Sequence, residues 1–153
     1  MVAMSMGMWS QLLSAAEKKK KLPLAPAAMA VTQVQSEEMK ATEALKAQEW
    51  IVYLSAFKDA KEKPQVDIVT FSENNKFISK NLFGKGFQEA SYTLSLKEGM
   101  AVWEVFQENQ DGVIAFWRGE LKGKVMQGIV SILLKNGTIT DLCFTTAAPQ
   151  EKI

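Results

Sequence analysis

Residues 125–146 read VMQGIVSILLKNGTITDLCFTT, two apolar runs, Val125 to Leu134 and Thr138 to Thr146, separated by Asn136-Gly137. An Asn-Gly pair tolerates the positive φ angles of a type I′ turn, so the stretch predicts an antiparallel hairpin of fixed register. The same punctuation repeats upstream. Gln110-Asp111-Gly112 separates Met100 to Gln107 from Val113 to Leu121, and Lys122-Gly123-Lys124 marks the next reversal. Further strands are predicted at Trp50 to Ala56, Val66 to Phe71, Lys76 to Lys80 and Gln88 to Leu96, bounded by Lys63-Pro64, Glu73-Asn74-Asn75, the Phe83 to Gly86 segment and Lys97-Glu98-Gly99. The expected fold is all-β, an antiparallel up-and-down barrel of about eight strands. That strand number encloses either packed side chains or one small ligand.

Period-two alternation indicates which residues face inward. Ala90, Tyr92, Leu94 and Leu96 alternate with Ser91, Thr93 and Ser95, the pattern of a half-buried strand. The later strands are apolar on both faces. Trp103, Val105, Ala115, Trp117, Val130 and Leu134 fall opposite Val102, Phe106, Ile114, Phe116, Ile129 and Leu133. A strand apolar on both sides calls for a second covering layer, from a helix, a neighbouring subunit or a partner.

The chain has 153 residues, 47% of them hydrophobic, enough for one core plus an extension. Its 18 basic and 17 acidic residues leave a net charge of +1, without the basic surplus of an electrostatically driven nucleic-acid binder. Cys143 is the single cysteine and has no internal disulfide partner; its apolar strand context reads as a buried, inert thiol. Compartment is therefore left open between cytoplasm and secretion.

Three segments are expected: residues 1–35 as an N-terminal arm and Pro/Ala linker, 36–146 as a helix plus barrel, and 147–153 as a tail. Val2, Met6, Trp9 and Leu13 share one helical face, a candidate for docking on a partner or lying on a membrane surface. Lys18 to Lys21 follow that apolar segment, the reverse of a secretory signal. An alternative parse makes these lysines the n-region for Leu22 to Ala30, with Ala28-Met29-Ala30 as the cleavage site, although Pro23 and Pro26 interrupt it. Leu22 to Ala28 otherwise reads as an extended linker. Ser36 to Glu49 reads as a helix capped by Ser36, with Glu37 and Glu38 at its positive end.

No histidine occurs, which removes the commonest general base, the Ser-His and Cys-His pairs and every His-containing metal site. Glu104 and Glu120 on neighbouring strands read as solvent-facing carboxylates. Glu108 to Gly112 lacks calcium-loop spacing, and Gly84-Lys85-Gly86 lacks the rest of a dinucleotide fingerprint. No catalytic set, metal site or cofactor motif is read. Two kinds of residue remain as candidates for lining or closing the barrel. Trp50, Trp103 and Trp117 supply large amphipathic rings, and Arg118, the only arginine, has a planar guanidinium suited to covering an aromatic face at a barrel end.

A helical lead-in, Trp50 in the first strand after Gln48-Glu49, a meander of about eight strands and Trp117-Arg118-Gly119 together resemble the lipocalin-like, or calycin, barrel group over Gln48 to Thr146. Lipocalins carry Gly two residues before that Trp, where Gln48 stands here. The runs Asp67 to Phe71, Lys76 to Ser79 and Phe116 to Leu121 are similar to those of uncharacterised bacterial proteins with this barrel. The resemblance implies binding of a small apolar ligand inside the barrel. The residues themselves favour a non-enzymatic structural or interaction protein that pairs with a protein partner or a second copy through its arm and outer faces.

Overall fold

The computed structural model describes residues 26–57 and 62–148. Its strands are β1 (Trp50–Ala56), β2 (Gln65–Phe71), β3 (Lys76–Ser79), β4 (Ala90–Lys97), β5 (Met100–Glu108), β6 (Ile114–Lys122), β7 (Val125–Leu133) and β8 (Ile139–Thr145). Each pairs antiparallel with its chain neighbour. β8 then returns to β1 through Tyr53 opposite Thr145 and Leu54 opposite Phe144, closing the barrel. β3 covers only the start of β4, at Ala90 and Ser91, so the pairing between these two strands is the shortest in the barrel. The all-β barrel expected from the sequence is the observed fold.

Turn chemistry sets the registers in two ways. In the loops 73–75, 110–112 and 135–137 the third residue alone is left-handed: Asn75 at φ 54°, Gly112 at 71° and Gly137 at 83°. In the last of these Leu134 N–H donates to the Thr138 carbonyl at 2.9 Å and Gly137 N–H to the Leu134 carbonyl at 2.9 Å. This is the three-residue loop with a bulge, not the two-residue type I′ turn expected at Asn136-Gly137. Leu134 pairs with Thr138, so Lys135 joins the loop and loop length selects the bulged turn, in which Asn136 Oδ1 accepts from Thr138 N–H at 2.9 Å. A turn of the I′ kind does occur, at Glu98-Gly99, where both φ angles are positive and Lys97 faces Met100.

Both barrel ends are covered. Helix α1 (Pro26–Lys46) lies across the end marked by the Glu98-Gly99 and Gly123-Lys124 turns, separated by a crevice of about 360 Å³ from Leu96, Ala101 and Leu121. Leu45 is fully buried there, and the Trp50 indole donates to the Leu45 carbonyl at 2.9 Å, satisfying one of the carbonyls left free in the last helical turn. Two sequence expectations change at this helix. It begins ten residues before Ser36, and residues 26–28, read as extended linker, are helical. Proline breaks a helix interior but suits its first turn, where its missing N–H and fixed φ cost nothing, and the Ala-rich stretch after Pro26 propagates readily.

The opposite end is closed by a short turn of helix, α2 (Lys80–Phe83), where the sequence suggests only strand and turn. Ser79 caps it, accepting from Leu82 N–H at 3.1 Å while donating to the buried Asp67 carboxylate at 2.5 Å. Asp67 Oδ1 also accepts from Asn81 N–H at 3.0 Å, and Asn81 Nδ2 donates to the Val66 carbonyl at 2.8 Å. These bonds patch the wall where β3 stops pairing with β2. Across the gap, Gln107 Nε2 donates to the Gln88 carbonyl at 2.6 Å and Asn109 Nδ2 to the Lys85 carbonyl at 3.2 Å. Leu82 and Phe87 are pressed inward as a plug.

Candidate functional site

The barrel interior is an aromatic network. Phe71 meets Phe77, Tyr92 and Trp103 with ring centroids 5.3, 5.1 and 5.0 Å apart. Phe77 continues to Trp103 and Trp117, and Phe144 touches both tryptophans at 5.8 and 5.4 Å. Separations of this size are those of packed edge-to-face and tilted rings, so the rings fill the space they surround. Among the described residues, a cavity beside Trp117 measures about 30 Å³.

Two glycines make this packing fit. Gly119 on β6 faces Gly128 on β7. A Cβ at Gly119 would fall inside the Trp103 indole, and one at Gly128 would strike the Arg118 carbonyl and the Phe144 ring. The absent side chains let Trp103 and Phe144 lie over the sheet. In the sequence Gly119 stands out only as part of a barrel motif, and Gly128 not at all. The available signal is glycine in mid-strand, which marks close approach of another group.

The four barrel candidates separate. Trp103 and Trp117 meet in the core through Phe77 and Phe144, while Trp50 is spent at the α1 end as a cap. Arg118 lies on the outer face, next to Trp117 but on the opposite side of the strand. Its Nη1 is 2.7 Å from Glu104 Oε1 across the β5–β6 pair, with both side chains substantially solvated. It therefore grips a carboxylate outside the barrel and does not cover a ring at its end. Strand parity, one residue from an inward Trp, carries that information. Glu120, on the strand next to Glu104, faces Val102 and not Glu104. The docking candidates Val2, Met6, Trp9 and Leu13 lie outside the described residues.

On the outer face of β5 to β8, cross-strand register stacks apolar side chains in adjacent rows. Ile114, Leu133 and Ile139 form one row, and Phe106 beside Phe116 the next, with Ile129 one step further along β7. Phe106 is 57% exposed and Ile139 60%. Polar groups between them are internally satisfied: Glu104 by Arg118, and Asp141 by the Ser131 hydroxyl at 2.6 Å. The patch spans four strands, about 14 Å at ordinary strand spacing.

Chemistry beyond packing is sparse. Among the described residues no group of three or more His, Cys, Asp and Glu side chains is arranged to hold a metal. Asp67 has its oxygens engaged by Ser79, Ile68 and Asn81, the pattern of a structural carboxylate. Among the described residues no helix is long and apolar enough to cross a membrane. Comparison with known proteins gives no match: no family model fits the chain, and neither a curated protein nor a solved structure matches it.

Proposed function

We propose that the protein is a non-enzymatic interaction barrel of lipocalin-like type, which associates through the outer face of β5 to β8. The observation that carries this reading is the contrast between the two sides of one sheet. Inside, the aromatic side chains that could line a ligand chamber pack on one another. Outside, Phe106 and Phe116 are left in solvent in register, with exposed Ile139 in the adjacent row. Exposed apolar side chains that form one contiguous patch mark an interaction surface far more often than scattered ones do. The Glu104–Arg118 pair lowers the cost of covering it, since those two charges would stay paired, and Asp141 keeps its hydrogen bond from Ser131.

Self-association is the form testable with the chain alone. Sedimentation equilibrium over a wide concentration range should give a rising average mass, and Phe116→Lys should lower the association constant at least tenfold while leaving the thermal transition cooperative. A chain that stays monomeric at every concentration, or a Phe116→Lys variant that associates as strongly as the unmodified chain, would refute self-association through this face. The carrier reading has less support, because a carrier needs a chamber of several hundred Å³.

A further inference from the structure

Beneath the α2 plug, a cavity of about 30 Å³, partly open to solvent, is lined by Trp117, Val130 and Leu54 from the barrel, by Asp67 and Leu82 near the plug, and by Lys85 and Gln65 toward its mouth. A water needs about 10–15 Å³ of such space together with two or more polar partners. The space therefore admits a water-sized ligand and excludes an organic one. Trp117 is 1% exposed, and its Nε1–H has no acceptor among the described residues. An indole N–H left without a partner in an apolar core is costly, so an acceptor beside it has a clear energetic role. Asp67 supplies the other half. A carboxylate offers about four acceptor positions, and three are taken, by the Ser79 hydroxyl and the N–H groups of Ile68 and Asn81.

We infer that this cavity is a built site for one water molecule, which accepts from Trp117 Nε1–H and donates to the remaining acceptor position of Asp67. A cation cannot accept from the indole, whereas one water can accept from it and donate to the carboxylate at once. The site joins the aromatic core to the Asp67, Ser79 and Asn81 bonds that hold the plug. Trp103 Nε1–H also lacks an acceptor among the described residues, but Trp103 does not line this cavity and so provides an internal comparison.

The chain has four tryptophans, so protein labelled with ¹⁵N at the indoles gives four N–H signals, assignable by single Trp→Phe variants. In the full unmodified chain, the Trp117 N–H should show cross-peaks to water of opposite sign in NOE and ROE spectra, the mark of a water held beyond a nanosecond. Trp50, bonded to Leu45, and Trp103 should show none. Val130→Ile, which adds one methylene at the cavity wall, should remove the Trp117 cross-peak and leave the Trp50 signal in place. Absence of the cross-peak in the unmodified chain would mean a dry cavity and overturn the assignment. Equal cross-peaks at Trp103 and Trp117, or persistence in Val130→Ile, would overturn its location.

Discussion

Adjacent residues of β6 carry opposite duties, and single substitutions separate them. Arg118→Lys keeps a cation near Glu104 on a solvated face, so stability should change by no more than about 0.5 kcal/mol in denaturant melts. Gly119→Ala puts a methyl group into the Trp103 indole and should cost about 2–3 kcal/mol. If the two variants melt alike, the close glycine–indole contact is not what shapes the core. Tyr92 offers a pH test. Burial, and secondarily the Glu73 carboxylate, raises its phenol above the ordinary value of 10.0. The folded state therefore holds this proton more tightly than the unfolded chain. That contribution is complete below pH 10 and is lost as pH rises past it through the folded value. Relative to Tyr92→Phe, wild-type stability should be flat to about pH 10 and then fall; parallel curves above that pH would contradict the burial of the hydroxyl. The sequence makes Tyr92 recognisable as inward-facing because its strand alternates cleanly, whereas the strands of Trp103 and Trp117 are apolar on both faces and leave the inward side open. It does not reveal Arg118's outer partner, since a carboxylate fourteen residues away becomes a neighbour only through strand register.

Strand limits are legible to within one or two residues because turn residues punctuate them locally. What cannot be read are features whose cause lies far along the chain. Helix α2 is four residues long and exists through Asp67, which sits on β2 and reaches both Ser79 and Asn81. The start of helix α1 is hidden for a different reason. A proline such as Pro26 signals a break in the interior of a helix and a start at its first turn, and sequence does not show which applies. The hairpin at Asn136-Gly137 tests the turn assignment. A Cβ at Gly137 meets nothing within 4 Å, so Gly137→Ala carries only the cost of a left-handed backbone, about 1–2 kcal/mol. The equivalent change at Asn136, which is not left-handed, should lose only the side-chain bond to Thr138, about 1 kcal/mol. A much larger loss at Asn136 than at Gly137 would favour the type I′ geometry over the bulged loop.

For the molecule as a whole, the distribution of polarity decides what kind of barrel this is. A membrane-spanning barrel turns apolar side chains outward around a polar interior; here the interior holds Trp103, Trp117 and Phe77, while Glu104, Arg118 and Glu120 lie on the outside of the same strands. The sequence indicates both the closed sheet and its two-sided apolar strands. It cannot tell a packed interior from a hollow one, because the same aromatic residues line a chamber or fill it, and the outcome rests on the Gly119–Gly128 gap that admits Trp103 and Phe144. The barrel is packed solid, and the proposed association takes place on its outer face. Titration of the full chain with a long-chain fatty acid, followed by the emission of the buried tryptophans, tests this most directly. A filled barrel predicts no saturable change at one equivalent; stoichiometric quenching with a shift in emission would instead show an interior that opens to hold a ligand.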